Sequence, residues 1–297
     1  MKKSVSMLLA ALMLTGALAG CGSSASGTQA EDGADSGVSG AITVISREDG
    51  SGTRGAFIEL TGVEEKTADG KKVDNTTDDA EVANKTDAVL ITVAGNEKAI
   101  GYVSLGALND TVKAVKVDGA EATVENVKSG SYKLSRPFNI ATKGEPTGVA
   151  KDFISFILSK EGQAVVTDNK YIAVNDAAES FVSDGSSGQI AVGGSSSVSP
   201  VMEKLIEAYK SVNPNASIDL QTSDSTSGMT GAMDGTFAIG MASRELKDEE
   251  AAQLTGTAIA LDGIAVIVNP ANTIDELSMD QIKSIYVGDI TDWGDLA

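Results

Sequence analysis

The sequence predicts an α/β protein with mostly parallel sheets, and two observations support this prediction. Short apolar runs such as ITVIS, AIGYVS and QIAVGG alternate with helical patterns such as GVAKDFISFILSKEGQAVV and VMEKLIEAYKSV. Strands separated by helices of this length are typical of α/β folds. The 297 residues, 41% of them hydrophobic, are enough for two ordinary domains with separate cores.

The N-terminal segment, residues 1–21, has the pattern of a lipoprotein signal peptide. Two lysines precede an apolar run that ends in Leu18-Ala19-Gly20-Cys21 and is too short for a comfortable membrane span. Cys21 is the predicted lipidation site, although cleavage after Ala19 also fits the pattern. Residues 22–40 are small, polar and acidic, which predicts a disordered tether. We therefore expect an extracytoplasmic protein, anchored to the cell membrane through lipidated Cys21.

Charge and composition exclude several classes of function. A formal net charge of −19 argues against nucleic acid or an anionic lipid surface as a partner, so the lipid anchor is the only expected membrane contact. The chain has no histidine, which removes Ser-His-Asp and Cys-His catalysis and the common histidine-containing metal sites. We therefore predict no catalytic residue, no metal and no cofactor. A small buried anion stays compatible with the charge, because surface carboxylates beyond about 10 Å are screened.

Three strand-to-helix turns share one chemistry. They span residues 46–53 (SREDGSGT), 193–200 (GGSSSVSP) and 221–228 (QTSDSTSG). Each places hydroxyl groups at a helix N-terminus, where free backbone N–H groups await an acceptor. Any one turn alone is explained by ordinary helix capping. Three of them, together with the planar fork of Arg47, favour a shared site for a tetrahedral oxyanion.

The first turn also matches a dinucleotide fingerprint, G-x-G-x-x-G, between residues 50 and 55. The acidic residue expected about 20 positions later, at the end of a second strand, would fall in the polar stretch TADGKKVDNTTDDA. That stretch has the composition of a loop. The match is therefore weak, and no P-loop pattern G-x-x-x-x-G-K-[ST] occurs in the chain.

Six segments together resemble the phosphate-binding lipoproteins of phosphate ABC importers. The segments are SREDGSGTRGAF, AIGYVSLGAL, SGSYKLSRPF, GGSSSVSPVMEKL, GTFAIGMASREL and LDGIAVIVNP followed by IYVGDITDW. They extend over nearly all of residues 41–297. The resemblance implies a two-lobed periplasmic-binding-protein fold of type II-like form, with mixed sheets, helices on both faces and the ligand in the interlobe cleft.

The order of these segments differs from the family pattern, in which the GSSSVSP turn comes first and IYVGDITDW leads directly into VISREDGSGTR. We therefore interpret the sequence as circularly permuted, with residues 175–189 joining the former termini. One lobe would be continuous, residues 136–268, and the other split between residues 41–135 and 269–297. A tandem-gene fragment and a domain-swapped dimer are the alternative explanations; with permutation within one chain, we expect a monomer.

The resemblance also implies the site residues. Arg47, Ser51, Gly52 and Thr53 would bind phosphate oxygens from one lobe. Ser196 or Ser197 and Ser225 would complete the site from the other lobe, with Ser243 at a further strand end facing it. Asp49 would orient Arg47.

The chain departs from the family pattern at one position. Well-known members have an aspartate after the serine that matches Ser243, which accepts the proton that phosphate carries and sulfate lacks, but this chain has Arg244 there. We hypothesise that Asp224 takes this role, since a carboxylate favours a protonated oxyanion and repels a fully ionised one. The alternative for Asp224 is a plain helix N-cap. The run Asp248-Glu249-Glu250 is predicted to be the solvated first turn of a helix.

The implied function is a non-enzymatic one, in which phosphate is captured between the lobes and delivered to the membrane permease subunits of an ABC importer. Two alternatives remain. One is a sensor or interaction protein without a transport role. The other is an extracytoplasmic phosphatase, which without histidine would need serine with lysine or carboxylates alone.

Overall fold

The structure, a computed structural model, describes residues 38–296 of the chain. The predicted signal peptide, Cys21 and all but the last three residues of the predicted tether lie outside this range. Among the described residues are nine α-helices: α1 (Gly52–Thr61), α2 (Thr86–Ala94), α3 (Val124–Ser129), α4 (Gly148–Ile157), α5 (Lys160–Asp168), α6 (Ser199–Val212), α7 (Ser225–Asp234), α8 (Asp248–Ala251) and α9 (Met279–Val287). Two short 3₁₀ turns span Leu105–Ala107 and Trp293–Leu296.

The strands of the described range form one large sheet and two small ones. They are β1 (Thr43–Arg47), β2 (Glu64–Lys66), β3 (Lys72–Asp74), β4 (Glu81–Ala83), β5 (Ala99–Ser104), β6 (Lys113–Ala114), β7 (Lys116–Val117), β8 (Ser135–Thr142), β9 (Gly188–Ser195), β10 (Ala216–Ser223), β11 (Ile239–Ala242), β12 (Thr255–Val268) and β13 (Glu276–Leu277). The large sheet has the order β10-β9-β11-β8-β12-β5-β1-β4, with β6 beside β12. Strands from both the N-terminal and the C-terminal half of the described chain therefore belong to this one sheet.

Local sequence explains where several helices begin and end. The side chain of Ser278 accepts a hydrogen bond from the amide of Gln281, whose own side chain returns to the Ser278 amide, a capping box that starts α9. The same helix stops at Gly288, which has a φ of 86° in the left-handed region. Glycine adopts this conformation without the steric cost of a Cβ atom, so it ends the helix cleanly.

Two strands connect the two halves of the sheet. β12 pairs antiparallel with β8 over its first part and with β5 over residues 264–268. β8 also pairs antiparallel with β11, whereas β1 with β4 and β5, and β9 with β10 and β11, are parallel. The α/β prediction is confirmed, and the antiparallel connecting strands make the sheet mixed.

The core residues fall into groups on either side of these strands. The largest group on one side includes Phe57, Tyr102, Ile285 and Trp293, and the largest on the other includes Phe153, Val192, Leu205 and Met241. Residues 264, 266 and 268 of β12 pack in the first group, and residues 259 and 260 in the second. Along β12 the core therefore changes after residue 260, and the predicted lobe boundary at residue 268 stays a prediction.

The two ends of the described range lie against each other. The amide of Ile42 donates to the carbonyl of Thr291, and the amide of Trp293 donates to the carbonyl of Gly40. The Trp293 indole is buried and donates through Nε1 to the carbonyl of Lys98 at 3.0 Å. The segment that precedes β1 and the segment that follows α9 thus complete one core together. Within residues 38–296, no helix has the length and apolar character needed to cross a membrane.

Candidate functional site

The first predicted turn lies between β1 and α1, and aromatic packing between α1 and β5 holds it in place. The ring of Phe57 in α1 stacks on Tyr102 of β5, with centroids 3.9 Å apart. The Tyr102 hydroxyl accepts a hydrogen bond from the Arg47 amide at 3.2 Å. This contact holds the end of β1 at the level where α1 begins.

Helix α1 presents free amides at this turn. Its N-cap residue, Ser51, accepts a hydrogen bond from the amide of Arg54, and the first carbonyl-to-amide bond of the helix joins Ser51 to Gly55. The amides of Gly52 and Thr53 precede this bond and have no acceptor within the helix. The helix therefore offers two donors and the positive end of its dipole to an anion.

Arg47 is a buried guanidinium with one unused nitrogen. Its side chain is 2% exposed, and Nε and Nη2 donate to the two carboxylate oxygens of Glu48 at 2.8 and 2.7 Å. Nη2 also donates to the hydroxyl of Ser196 at 3.1 Å. Nη1 is buried and has no hydrogen-bond partner in the described part of the chain. An arginine N–H cannot accept a hydrogen bond, so Nη1 requires an acceptor from elsewhere.

The second turn, between β9 and α6, brings three consecutive serines beside this guanidinium. Its backbone is possible because Gly194 has a φ of 135°, and a Cβ atom there would lie only 3.0 Å from the amide nitrogen of Met241. The Ser196 amide donates to the carbonyl of Ser223 in the neighbouring strand, and the Ser197 amide donates to the hydroxyl of Ser195. These two contacts fix the conformation of the turn.

The third turn, between β10 and α7, contacts the first turn directly. The amide and the hydroxyl of Thr226 donate to the carbonyl of Gly50 at 3.1 and 3.2 Å. The Ser225 hydroxyl accepts a hydrogen bond from the Ser243 amide at 3.1 Å, which links α7 to the residue that follows β11. These contacts join turns that belong to different core groups.

Six buried hydroxyl groups form one network, which we call the hydroxyl cluster: Thr53, Thr86, Ser195, Ser196, Ser197 and Ser243. The hydroxyl of Thr53 lies 2.8 Å from that of Ser197, and the hydroxyl of Thr86 lies 3.2 and 3.3 Å from those of Ser197 and Ser196. Ser195 donates to Ser243 at 3.0 Å. The members come from the starts of α1 and α2 on one side and from the ends of β9 and β11 on the other.

The structure brings together most residues of the predicted site. Arg47, Gly52, Thr53, Ser196, Ser197, Ser225 and Ser243 lie in or beside the hydroxyl cluster. Ser51 is buried next to them, but its hydroxyl caps α1. Their role in binding phosphate stays a prediction.

The predicted role of Asp49 is wrong. Asp49 pairs with Arg54 at 3.0 Å, and its side chain is 98% exposed. Glu48 holds Arg47 instead, with both carboxylate oxygens. The two acids are neighbours at the start of a turn, and the backbone there directs Glu48 toward the core and Asp49 toward solvent.

The two supporting residues of the second lobe have defined partners. Asp224 caps α7, and its oxygens accept hydrogen bonds from the amide and the hydroxyl of Ser227 at 2.9 and 2.5 Å. Arg244 makes a bidentate pair with Glu250 at 2.7 and 2.8 Å. Burial raises the pKa of the Glu250 carboxyl, but hydrogen bonds from Arg244 and from the Lys247 amide lower it below its usual value. The predicted helix start at Asp248 is confirmed, and Asp248 and Glu249 are exposed. Glu250 is a buried partner of Arg244, so the prediction that it is solvated is wrong.

Three residues of the site were missed by the sequence reasoning: Glu48, Thr86 and Ser195. Thr86 opens α2, which follows the short strand β4 in a polar stretch without a strand-like pattern. The helical run TDAVLITVA, which begins at Thr86, is the signal that could have identified this residue. Because β4 lies parallel to β1, the helix that follows β4 starts at the same edge of the sheet as α1. Ser195 belongs to the second predicted turn, from which only Ser196 and Ser197 were predicted as site residues.

A cavity of about 570 Å³ opens beside the hydroxyl cluster. It lies between α1 and the segment after β11, and its lining includes Gly55, Arg136, Arg244 and Lys247. The hydroxyls of the cluster are not among its lining groups, because they face one another across the junction of the two cores. The cavity is therefore a neighbour of the candidate site.

Comparison with known proteins gives consistent results along the chain. Residues 24–161 and 180–297 match the model of the PBP superfamily domain. The "Phosphate-binding protein PstS 2" of Streptococcus agalactiae serotype V is 51% identical over 298 residues, which cover 99% of this chain and 98% of that protein.

A crystal structure of a phosphate ABC transporter phosphate-binding protein from Streptococcus pneumoniae TIGR4 has a TM-score of 0.70 and 49% identity, covering 87% of this chain and 100% of that one. The PstS protein of Bacillus subtilis is 34% identical over 137 residues, which cover 46% of this chain and 42% of that protein. The matched ranges and the full-length identity show that the chain belongs to the PBP superfamily and, within it, to the PstS family.

Proposed function

We propose that this chain is an extracytoplasmic solute-binding lipoprotein that captures inorganic phosphate between two lobes and delivers it to an ABC importer. The observation that carries the proposal is the buried Nη1 of Arg47, which has no partner in the described range and lies beside the hydroxyl cluster. The free amides at the start of α1 and the neighbouring hydroxyls supply further donors around it. The names of the full-length relatives support phosphate as the anion.

The chemistry of these groups suits a tetrahedral oxyanion. The guanidinium contributes a charge and a directed N–H, and hydroxyl groups can turn from donating to one another to donating to an anion. A site enclosed by both cores strengthens each of these bonds by excluding water. Binding would therefore replace the direct contacts across the junction with contacts through the ligand.

Calorimetric titration of the purified protein with phosphate and with sulfate tests this proposal. We expect stoichiometric phosphate binding and no turnover of a chromogenic phosphate ester. Arg47→Lys keeps the charge but loses the planar fork, and we expect it to weaken phosphate binding by at least about tenfold. Absence of phosphate binding by the unsubstituted chain would refute the proposal, and ester turnover would favour the phosphatase instead.

We propose that Asp224 accepts the proton of phosphate and thereby makes the site selective for phosphate over sulfate. Its position beside Gly50 of the opposite turn supports this, although its oxygens also cap α7. Asp224→Asn keeps a good N-cap residue, so its effect on stability is expected to be small. We expect the ratio of phosphate to sulfate affinity to fall. An unchanged ratio would leave Asp224 with the capping role alone.

The anchoring and the chain order belong to the same proposal. Lipidated Cys21 would hold the protein at the outer face of the membrane, and Cys21→Ser is expected to release it into the soluble fraction. Circular permutation is supported by the changed order of the six segments and by the contact between the two ends of the described range. Sedimentation of the purified chain should give a monomer, whereas a dimer would favour exchange of halves between chains.

A further inference from the structure

All of the buried side-chain nitrogen and oxygen atoms without a hydrogen-bond partner in residues 38–296 belong to three residues. They are Nη1 of Arg47, Nε and Nη1 of Arg136, and the hydroxyl of Tyr171. A buried polar atom without a partner costs free energy, so such atoms are rare in a stable fold. The hydroxyl cluster accounts for the first residue only. Arg136 and Tyr171 remain to be explained.

Arg136 lies where the two connecting strands face each other. It stands on β8 directly opposite Asp262 of β12, and its Nη2 donates to Oδ2 of Asp262 at 3.1 Å. Oδ1 of Asp262 accepts a hydrogen bond from the Ser104 hydroxyl at 3.0 Å. The guanidinium carbon lies 5.4 Å from the centroid of the Phe138 ring. One edge of the guanidinium is therefore held by a carboxylate, and its Nε and Nη1 are left to donate elsewhere.

Tyr171 closes this region from the side. Its ring lies 5.4 Å from that of Phe138, and a Cβ atom at position 106 would overlap the tyrosine ring, so Gly106 is required by the close approach. Burial raises the pKa of the Tyr171 hydroxyl, and the charge of Asp262 raises it further. The hydroxyl therefore stays neutral and able to donate. Arg136 and Tyr171 together present three donor groups inside the fold.

Arg136 lines the cavity beside the hydroxyl cluster together with Gly55, which lies in the first turn of α1, the helix whose start belongs to the candidate site. Burial lowers the pKa of Arg136, and the positive charge of Arg47 lowers it as well, while Asp262 opposes both effects. Asp262 compensates only one of the two positive charges of this region, and Glu48 compensates the other from the opposite side of Arg47. An anion held by Arg47 would add acceptor oxygens for the guanidinium N–H groups that have no partner among the described residues.

We propose that Arg136 is a second guanidinium of the anion site, held in place by Asp262, and that its charge contributes to phosphate affinity directly or through a bound water. This inference rests on the proposed function, because it names a further residue of the same site. It assigns the junction of β8 and β12 a role in binding besides that of connecting the two cores. Asp262 holds Arg136 in position, and its negative charge at the same time repels a bound anion.

The test uses the sign of the change in phosphate affinity. Arg136→Gln removes a positive charge and is expected to weaken phosphate binding about tenfold, since charges inside and near a protein interact at an effective dielectric constant of about 20. Asp262→Asn removes a negative charge, keeps an oxygen for Arg136, and is expected to tighten binding. Ser104→Ala removes a hydrogen bond to Asp262 without a change of charge and is expected to leave the affinity within about threefold.

Opposite signs for Arg136→Gln and Asp262→Asn in calorimetric titrations would support the inference. A purely structural role of the pair predicts the same sign for both, because each substitution breaks the same contact, and that result would overturn it. Arg136→Gln leaves a buried carboxylate without its cation, so the double variant with Asp262→Asn serves if the single one does not fold. The double variant should bind more weakly than Asp262→Asn alone, and equal affinity would also overturn the inference. Absence of phosphate binding by the unsubstituted chain would overturn the proposed function together with this inference.

Discussion

Substitution of Gly52 by alanine tests whether the site works by bringing two lobes together. Gly52 is the first residue of α1 and does not adopt a positive φ, so its own backbone accepts a side chain. An added Cβ atom would overlap the hydroxyl of Ser225 and lie 2.8 Å from that of Ser243 and 3.1 Å from Cγ of Arg244. All three neighbours belong to the opposite core group. Gly52→Ala should therefore oppose closure and leave its own lobe intact.

The expected magnitude follows from the hydrogen bonds that these hydroxyls make. The Ser225 hydroxyl accepts from the Ser243 amide, and the Ser243 hydroxyl accepts from Ser195. Moving both hydroxyls away from a Cβ atom breaks both bonds, and each costs about 1–3 kcal/mol when a buried group loses its partner. A total of about 3 kcal/mol corresponds to about a hundredfold weaker phosphate binding.

The assay is calorimetric titration with phosphate, accompanied by thermal unfolding without phosphate. Gly55→Ala is the matched control, because its Cβ atom would meet only Cδ of Arg244, at an ordinary distance of 3.7 Å. We expect Gly55→Ala to bind phosphate like the unsubstituted chain, and both variants to unfold at similar temperatures without ligand. Unchanged affinity of Gly52→Ala, or an equal loss in the control, would refute the reasoning.

Three further predictions follow from the same structure. Glu48→Gln should weaken phosphate binding about tenfold, since a charge-assisted pair with the buried guanidinium is lost, whereas titration of the Asp49→Asn variant should show a change within about twofold. Trp293→Ala should lower the free energy of unfolding in urea by about 3–5 kcal/mol, because a fully buried indole is removed. Burial raises the pKa of Asp262 to about 6 from 3.8, so the stability this carboxyl contributes is present below 3.8 and lost as the pH rises through about 6. Urea unfolding across this window should show Asp262→Asn gaining stability relative to the unsubstituted chain, and a constant difference would contradict the assignment.

The sequence predicted the strand-to-helix turns well because their signals are local. An apolar strand followed by glycine and hydroxyl residues and then a helical pattern defines the turn, and parallel strands bring such turns to one edge. The turns that contain Thr53, Ser196 and Ser197 were found in this way, the family resemblance singled out these residues within them, and the structure places their hydroxyls in one cluster. The alternation of strands and helices was therefore sufficient to predict that these turns meet at one edge of the sheet.

Contacts that depend on the direction in which one side chain points could not be predicted from these local sequence patterns. Glu48 and Asp49 are adjacent and chemically similar, and only the backbone dihedral angles of the turn decide which of them meets Arg47. Arg136 and Asp262 are separated by 126 positions, and their contact depends on the register between β8 and β12. Register within a sheet is set by long-range packing, which a reading of local patterns does not contain.

The difference between hydroxyl and guanidinium groups explains why the arginines define this site. A hydroxyl group both donates and accepts, so the hydroxyl cluster satisfies itself across the junction of the two cores, as the contacts of Thr53 and Thr86 with Ser197 show. A guanidinium group only donates, and Nη1 of Arg47 finds no acceptor among the described residues. The hydroxyls can therefore exchange one another for ligand oxygens at little cost, while the arginine gains a bond it did not have. Affinity for an anion should thus depend more on Arg47 than on any one hydroxyl, and loss of a single serine or threonine of the cluster should be the milder change.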